Sequence, residues 1–162
     1  MTIYTNLDTG KLHVGDANFS VSCNVRSIRD GTRQSYEVIK TTSINPEYKD
    51  KPYDPLPFPK GTWNITGLVW QIDKHFDANT YGPVKILTDA WQWVNVWELD
   101  EYGDYLRESA LKVKDECYWI HYSKSITTLG CIRAASEKDI LTIAGFIQNA
   151  YSRGEKVFIE VS

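Results

Sequence analysis

Apolar and polar residues alternate with a period of two through most of the first two-thirds of the chain, and then the period changes. Ile3–Tyr4 and Leu12–Val14 flank a turn, Asn6-Leu7-Asp8-Thr9-Gly10, which predicts a hairpin. Phe19, Val21, Cys23 and Val25 alternate with Ser20, Ser22 and Asn24, the pattern of a half-buried strand. Between Asn45 and Lys60 the alternation stops and five prolines gather (Pro46, Pro52, Pro55, Pro57, Pro59), so an irregular loop is expected. Strands are expected again over Thr62–Gln71, Val84–Leu87 and Trp91–Leu99, with Tyr81-Gly82-Pro83 as a turn. Two more follow over Tyr118–Tyr122 and Thr128–Ile132. Ser136-Glu137-Lys138-Asp139 then reads as a capping box. Ile140, Ile143, Ala144, Ile147 and Ala150 follow at helical spacing, Gly154 ends the helix, and Lys156–Val161 is a last strand. The expectation is one domain over residues 1–162, mostly β, sandwich- or barrel-like, with one helix near the end followed by a final strand.

Composition narrows the function classes. Of 162 residues, 18 are Lys or Arg and 21 are Asp or Glu, for a formal charge of −3. A nucleic-acid binder or a membrane-surface binder needs a concentrated positive field, so neither is expected. No apolar run approaches the ~18–20 residues of a membrane helix, and no membrane insertion is expected. The first fifteen residues lack the basic and apolar regions of a secretory signal. Cys23, Cys117 and Cys131 are odd in number and carry no zinc-ligand spacing, so neither a disulfide framework nor a metal or other cofactor is indicated.

Reactive residue types concentrate between Cys117 and Arg133. His121 stands ten positions before Cys131, and an antiparallel return of the intervening loop would bring a base to a thiol. Gly130 beside the cysteine permits unusual backbone angles and leaves room for a carbonyl near the backbone N–H groups. Spacing alone leaves both readings open, a nucleophile or a buried and inert thiol. Cys23 and Cys117 read as buried strand residues. Trp91, Trp93 and Trp97 share one strand face, and packing in the core is the favoured reading over a platform for sugar rings. The acidic run through Glu98, Asp100, Glu101 and Asp104 lacks a calcium-loop spacing and reads as a solvated turn.

Several segments, in order, resemble the L,D-transpeptidase catalytic domain of bacterial peptidoglycan metabolism. Pro59-Lys60-Gly61-Thr62-Trp63-Asn64-Ile65 is similar to that family's strand entry. Ile120-His121 followed by Thr128-Leu129-Gly130-Cys131-Ile132-Arg133 is similar to its Ile-His…Ser/Thr-His-Gly-Cys-Ile-Arg motif. Gly10-Lys11-Leu12-His13-Val14 fits its amino-terminal hairpin, and the capped helix with the Val157-Phe158-Ile159 strand fits its ending. Two departures stand out: Leu129 replaces the histidine beside the Gly-Cys pair, and the loop from His121 to Cys131 is short. Similar short segments occur in phage- and secretion-associated relatives.

The resemblance implies acyl transfer through a thioester on Cys131, with His121 as acid and base and the Gly130 turn shaping the oxyanion site. Arg133 and Thr128 are implied as substrate-contacting residues; Trp119, on the strand face of His121, is a candidate cleft-lining residue, with simple packing the favoured reading. Arg133 is read either as a carboxylate clamp, as a prop for the active-site loop, or as an ordinary ion pair with the start of the helix. His75 is a candidate substitute for the histidine lost at Leu129, against a plain solvated residue. The implied partner is a peptidoglycan stem peptide, with transpeptidation and carboxypeptidation both open. The expected place of action is the periplasm or cell wall, reached with the help of a phage or secretion apparatus. The alternatives are a binding or structural module that retains the fold, and a cysteine hydrolase of another amide.

Overall fold

The computed structural model describes residues 1–25, 37–38, 52–53, 55–99, 101–102 and 105–162; the side chains of 37, 38, 52, 97–99 and 105–111 are outside that description. The expected hairpin forms from β1 (Thr2–Asn6) and β2 (Lys11–Val14), in antiparallel register with Thr5 opposite Leu12. Its turn is fixed by Asn6, whose Oδ1 accepts from the N–H groups of Asp8 (2.9 Å) and Thr9 (3.0 Å). Alternation places Ile3, Thr5, Leu12 and Val14 inside and their neighbours outside. β3 (Ala17–Ser22) continues the meander.

The proline-rich stretch contributes β5 (Pro52–Tyr53), which pairs with β4 (Glu37–Val38). Residues 55–59 carry no regular structure, as expected, and residues 45–51 and 54 of the anticipated loop lie outside the described residues. β6 (Gly61–Trp70) runs into two single-turn helices that the hydrophobic pattern does not mark, α1 (Gln71–Lys74) and α2 (Ala78–Tyr81). Asp77 caps α2, accepting from the Asn79 N–H at 3.0 Å and the Thr80 hydroxyl at 2.7 Å. β7 (Val84–Thr88), β8 (Gln92–Leu99) and β9 (Tyr105–Asp115) follow, and the last of these is also unmarked in the pattern. Then come β10 (Ile120–His121), β11 (Ile132–Ala134), α3 (Glu137–Ser152) and β12 (Phe158–Val161).

Eight strands close a barrel in the order β1-β12-β6-β7-β10-β11-β3-β2, while β4, β5, β8 and β9 form a separate sheet. Mostly β with one substantial helix before a final strand is therefore what the chain adopts. Ser136 caps α3 by accepting from the Asp139 N–H at 3.1 Å, a contact of about 1 kcal/mol. The helix buries Ile140, Ile143, Ala144, Ile147 and Ala150 in the same core as Ile3, Leu12, Ile86, Ile120, Ile132 and Ile159.

The tryptophan expectation needs correction. Trp91 and Trp93 are 37% and 50% exposed, with rings edge to face at 5.5 Å and Lys114 over the Trp91 ring. The strand turns its smaller apolar residues inward instead: Val94 and Val96 pack with Tyr53 and Val113 in a second, small core. Alternation sets Trp91 and Trp93 on one face, but it does not say which face is covered. The Trp97 side chain lies outside the described residues, as do Asp100 and Asp104 of the acidic turn.

Candidate active site

The barrel wall opposite its packed face carries the residues of interest. Ile120 and Ile132, fully buried, pair across the parallel strands β10 and β11, so their neighbours point to the other side. That register sets His121 opposite Arg133 and places Cys131 beside Trp119, whose C=O accepts from the Ile132 N–H at 2.9 Å. Cys131 and His121 are therefore diagonal neighbours, about 8 Å apart at the backbone. Parallel strands set this relation, not the antiparallel return expected from the spacing. On the other flank β10 pairs with β7 at Ile120–Ile86, which brings Lys85 alongside His121.

The Cys131 thiol is half-buried. It donates to the Cys117 C=O at 3.5 Å and accepts from the Trp119 N–H at 3.4 Å. Burial pushes its pKa up to about 12, and the nearby Cys23, Cys117 and Asp115 add to the rise against the Trp119 N–H. His121 is 4% exposed, and its Nδ1 lies 3.1 Å from the Tyr122 C=O. A carbonyl accepts only, so the proton sits on Nδ1 and Nε2 keeps its lone pair. Burial holds the imidazole pKa below its usual value; Lys85 and Arg133 push the same way, and the Tyr122 contact opposes them. The Tyr81 ring, from α2, packs against both His121 (5.3 Å) and Trp119 (5.8 Å). Thiol and imidazole are not hydrogen-bonded to one another.

Gly130 has φ +120°, and a Cβ there would come within 2.6 Å of the Leu56 C=O and the Tyr118 ring. Only glycine fits the approach. Thr128, buried, locks this turn: its hydroxyl donates to the Cys131 C=O at 2.9 Å and accepts from the Gly130 N–H at 3.2 Å. Its side chain faces the turn and not the open side. The Cys131 N–H makes no hydrogen bond among the described residues.

Arg133 donates from Nε to the Ser123 C=O at 2.8 Å and lies over the Tyr122 ring at 5.2 Å. It braces the segment after His121, and it makes no ion pair with the start of α3. His75 is exposed, with φ +54°, ending α1 through its N–H to the Gln71 C=O at 2.7 Å. It has no hydrogen bond with His121 or Cys131. Leu129 is 38% exposed.

Cys117 is not the buried strand residue expected. It is exposed, with φ +67°, because the chain turns there to send Tyr118 into the core. Cys23 is half-buried just beyond β3, donating to the Gly130 C=O at 3.2 Å and accepting from the Phe58 N–H at 3.4 Å. Among the described residues no group of three His, Cys, Asp or Glu side chains is placed to hold a metal ion.

Sequence reasoning passed over Lys85, Tyr81 and Asp115. Lys85 had a signal, a lone cation between Val84 and Ile86 in an apolar strand. Tyr81 had none, since α2 is a single turn. Asp115 accepts from the Tyr118 hydroxyl at 2.7 Å, and burial raises its carboxyl to about 6 from 3.8. Between those values the folded state holds a proton that the unfolded chain has released. The stabilisation is thus complete below pH 3.8 and lost as pH rises through about 6. Asp115→Asn should stabilise the protein at pH 8 by about 1–2 kcal/mol and leave it unchanged at pH 3.5, measured by urea unfolding at both.

No family model, curated protein or solved structure matches this chain.

Proposed function

We propose that the protein is a cysteine acyltransferase of peptidoglycan stem peptides, an L,D-transpeptidase or L,D-carboxypeptidase. The observation that supports this most is the juxtaposition on one barrel face: Cys131 with a free N–H, diagonal to a neutral His121 whose Nε2 can accept a proton. The family resemblance of the His…Gly-Cys-Ile-Arg segment supplies the substrate class.

In this reading Cys131 Sγ attacks the carbonyl of the third residue of the stem as its proton passes to His121 Nε2. The Cys131 N–H faces the oxyanion. Collapse breaks the C–N bond, and the imidazolium returns its proton to the departing D-amino acid. Water or a stem-peptide amine then attacks the thioester, gives a proton to His121, and releases the thiolate, which the imidazolium reprotonates. A thiol with so high a pKa stays protonated at rest, so transfer must accompany attack.

Incubation with a disaccharide-tetrapeptide, followed by mass spectrometry, tests the reading. The expected products lack the terminal D-amino acid, as tripeptide or as a cross-linked dimer. A carbapenem should leave its adduct on Cys131; an adduct on Cys117 contradicts the assignment. A second reading, a non-catalytic binding module, draws on the lack of a thiol–imidazole hydrogen bond in this resting geometry. Absence of turnover together with equal tetrapeptide binding by wild type and Cys131→Ala selects it. A third reading, a cysteine hydrolase of another amide, is selected by turnover of simple peptide amides with none of the tetrapeptide.

A further inference from the structure

Lys85, like Arg133, is a charged residue of this face that the mechanism leaves unused. It lies at an outward position of β7, between the buried Val84 and Ile86. Its Nζ sits over three rings at once: Phe76 at 4.3 Å, Trp119 at 4.6 Å and Tyr81 at 4.7 Å. These come from three separate parts of the chain, the α1–α2 connection, the approach to β10 and the end of α2. Ring quadrupoles hold a cation in place, yet they neutralise none of its charge.

Among the described residues Lys85 makes no ion pair. The described acids of the neighbouring segments are occupied: Asp77 caps α2, Asp115 takes the Tyr118 hydroxyl, and Glu116 pairs with Lys114 at 3.2 Å. Arg133 is turned to the Ser123 C=O, and His121 between the two cations is neutral. The ammonium is therefore fixed, half-buried and without a counter-charge among the described residues, one strand from His121 and against the ring of the residue whose N–H contacts Cys131 Sγ. A fixed cation that lacks an anion among the described residues has the character of a ligand anchor.

We propose that Lys85 anchors a carboxylate of the ligand, which in the acyl-transfer reading is the free carboxylate of the terminal D-amino acid, next to the bond that Cys131 attacks. The second half rests on the acyl-transfer reading; the first half does not.

Two small probes separate them, N-acetyl-D-alanine and its neutral amide, titrated while the Trp119 indole N–H is followed by NMR. Trp119→Phe identifies that resonance. The acid should give a saturable shift that the amide does not. Lys85→Met should weaken acid binding at least tenfold, and Lys85→Arg should keep it within about threefold. Equal shifts from acid and amide, or acid binding by Lys85→Met equal to wild type, overturn the anchor. Should Lys85→Met fail to fold, the acid–amide comparison on wild type decides. With the tetrapeptide, Lys85→Met is expected to raise KM at least tenfold with kcat within threefold; an unchanged KM overturns the substrate half. Acid binding at Lys85 with no tetrapeptide turnover keeps the anchor and removes the acyl-transfer reading.

Discussion

His121→Gln is expected to slow acylation of Cys131 by about 10²–10⁴-fold, the usual loss when a positioned base is removed. Glutamine keeps a neutral amide of similar length in this buried site, while the proton acceptor is lost. The pH profile is the sharper observation. Burial favours the neutral imidazole, so the acid limb of wild-type acylation should fall below the ordinary value of 6.5. No thiolate limb should appear near neutrality, because the Cys131 thiol is held up to about 12. Carbapenem acylation followed by mass spectrometry from pH 4 to 9 measures both. An acid limb that persists unchanged in His121→Gln would assign it to another group and remove His121 from the chemistry.

Gly130→Ala should cost at least about 3 kcal/mol, through backbone strain at φ +120° together with overpacking. The obstacle cannot yield easily. One side is the Leu56 carbonyl, and the other is the Tyr118 ring, 1% exposed and tied through its hydroxyl to Asp115 at 2.7 Å and Gln92 at 2.9 Å. In a chain of this length the expected fall in Tm is roughly 6–12 °C. Gly145→Ala in α3 is the matched control, since a Cβ there meets nothing within 4 Å. It should gain about 0.5–1 kcal/mol from helix propensity. If both variants melt like wild type, the Gly130 turn is not the constraint described.

The hairpin, the capped helix and the last strand were legible because each has a local cause: an Asx turn, an N-cap, a regular apolar period. β9 was not legible. Over Tyr105–Ala110 it keeps no alternation, Leu111 and Val113 alternating with lysines only at its end, and its pairing with β8 slips register twice, so the strand exists by virtue of its partner. Two-residue β10 is likewise a product of its neighbours, as Tyr118 of the anticipated longer strand turns away into the core. Of the candidate site, the sequence named Cys131, His121 and Gly130, but it drew the approach of the first two with the wrong strand geometry. Lys85 and Tyr81 join them only through pairing between β7 and β10 and through a single helical turn, and neither leaves a period in the chain.

The barrel closes where β12 lies parallel to β1, with Thr2 opposite Phe158 and Val161 opposite Thr5. The partner that covers one side of β1 thus arrives more than 150 residues later in synthesis. During translation the amino-terminal meander can form, but it keeps an open edge until the last strand leaves the ribosome. Such distant pairing makes for slow closure and a long interval in which β1 is free to join another chain. Expression yield should therefore respond more to temperature and holding chaperones than the closed barrel, which leaves β1 no exposed edge, would suggest.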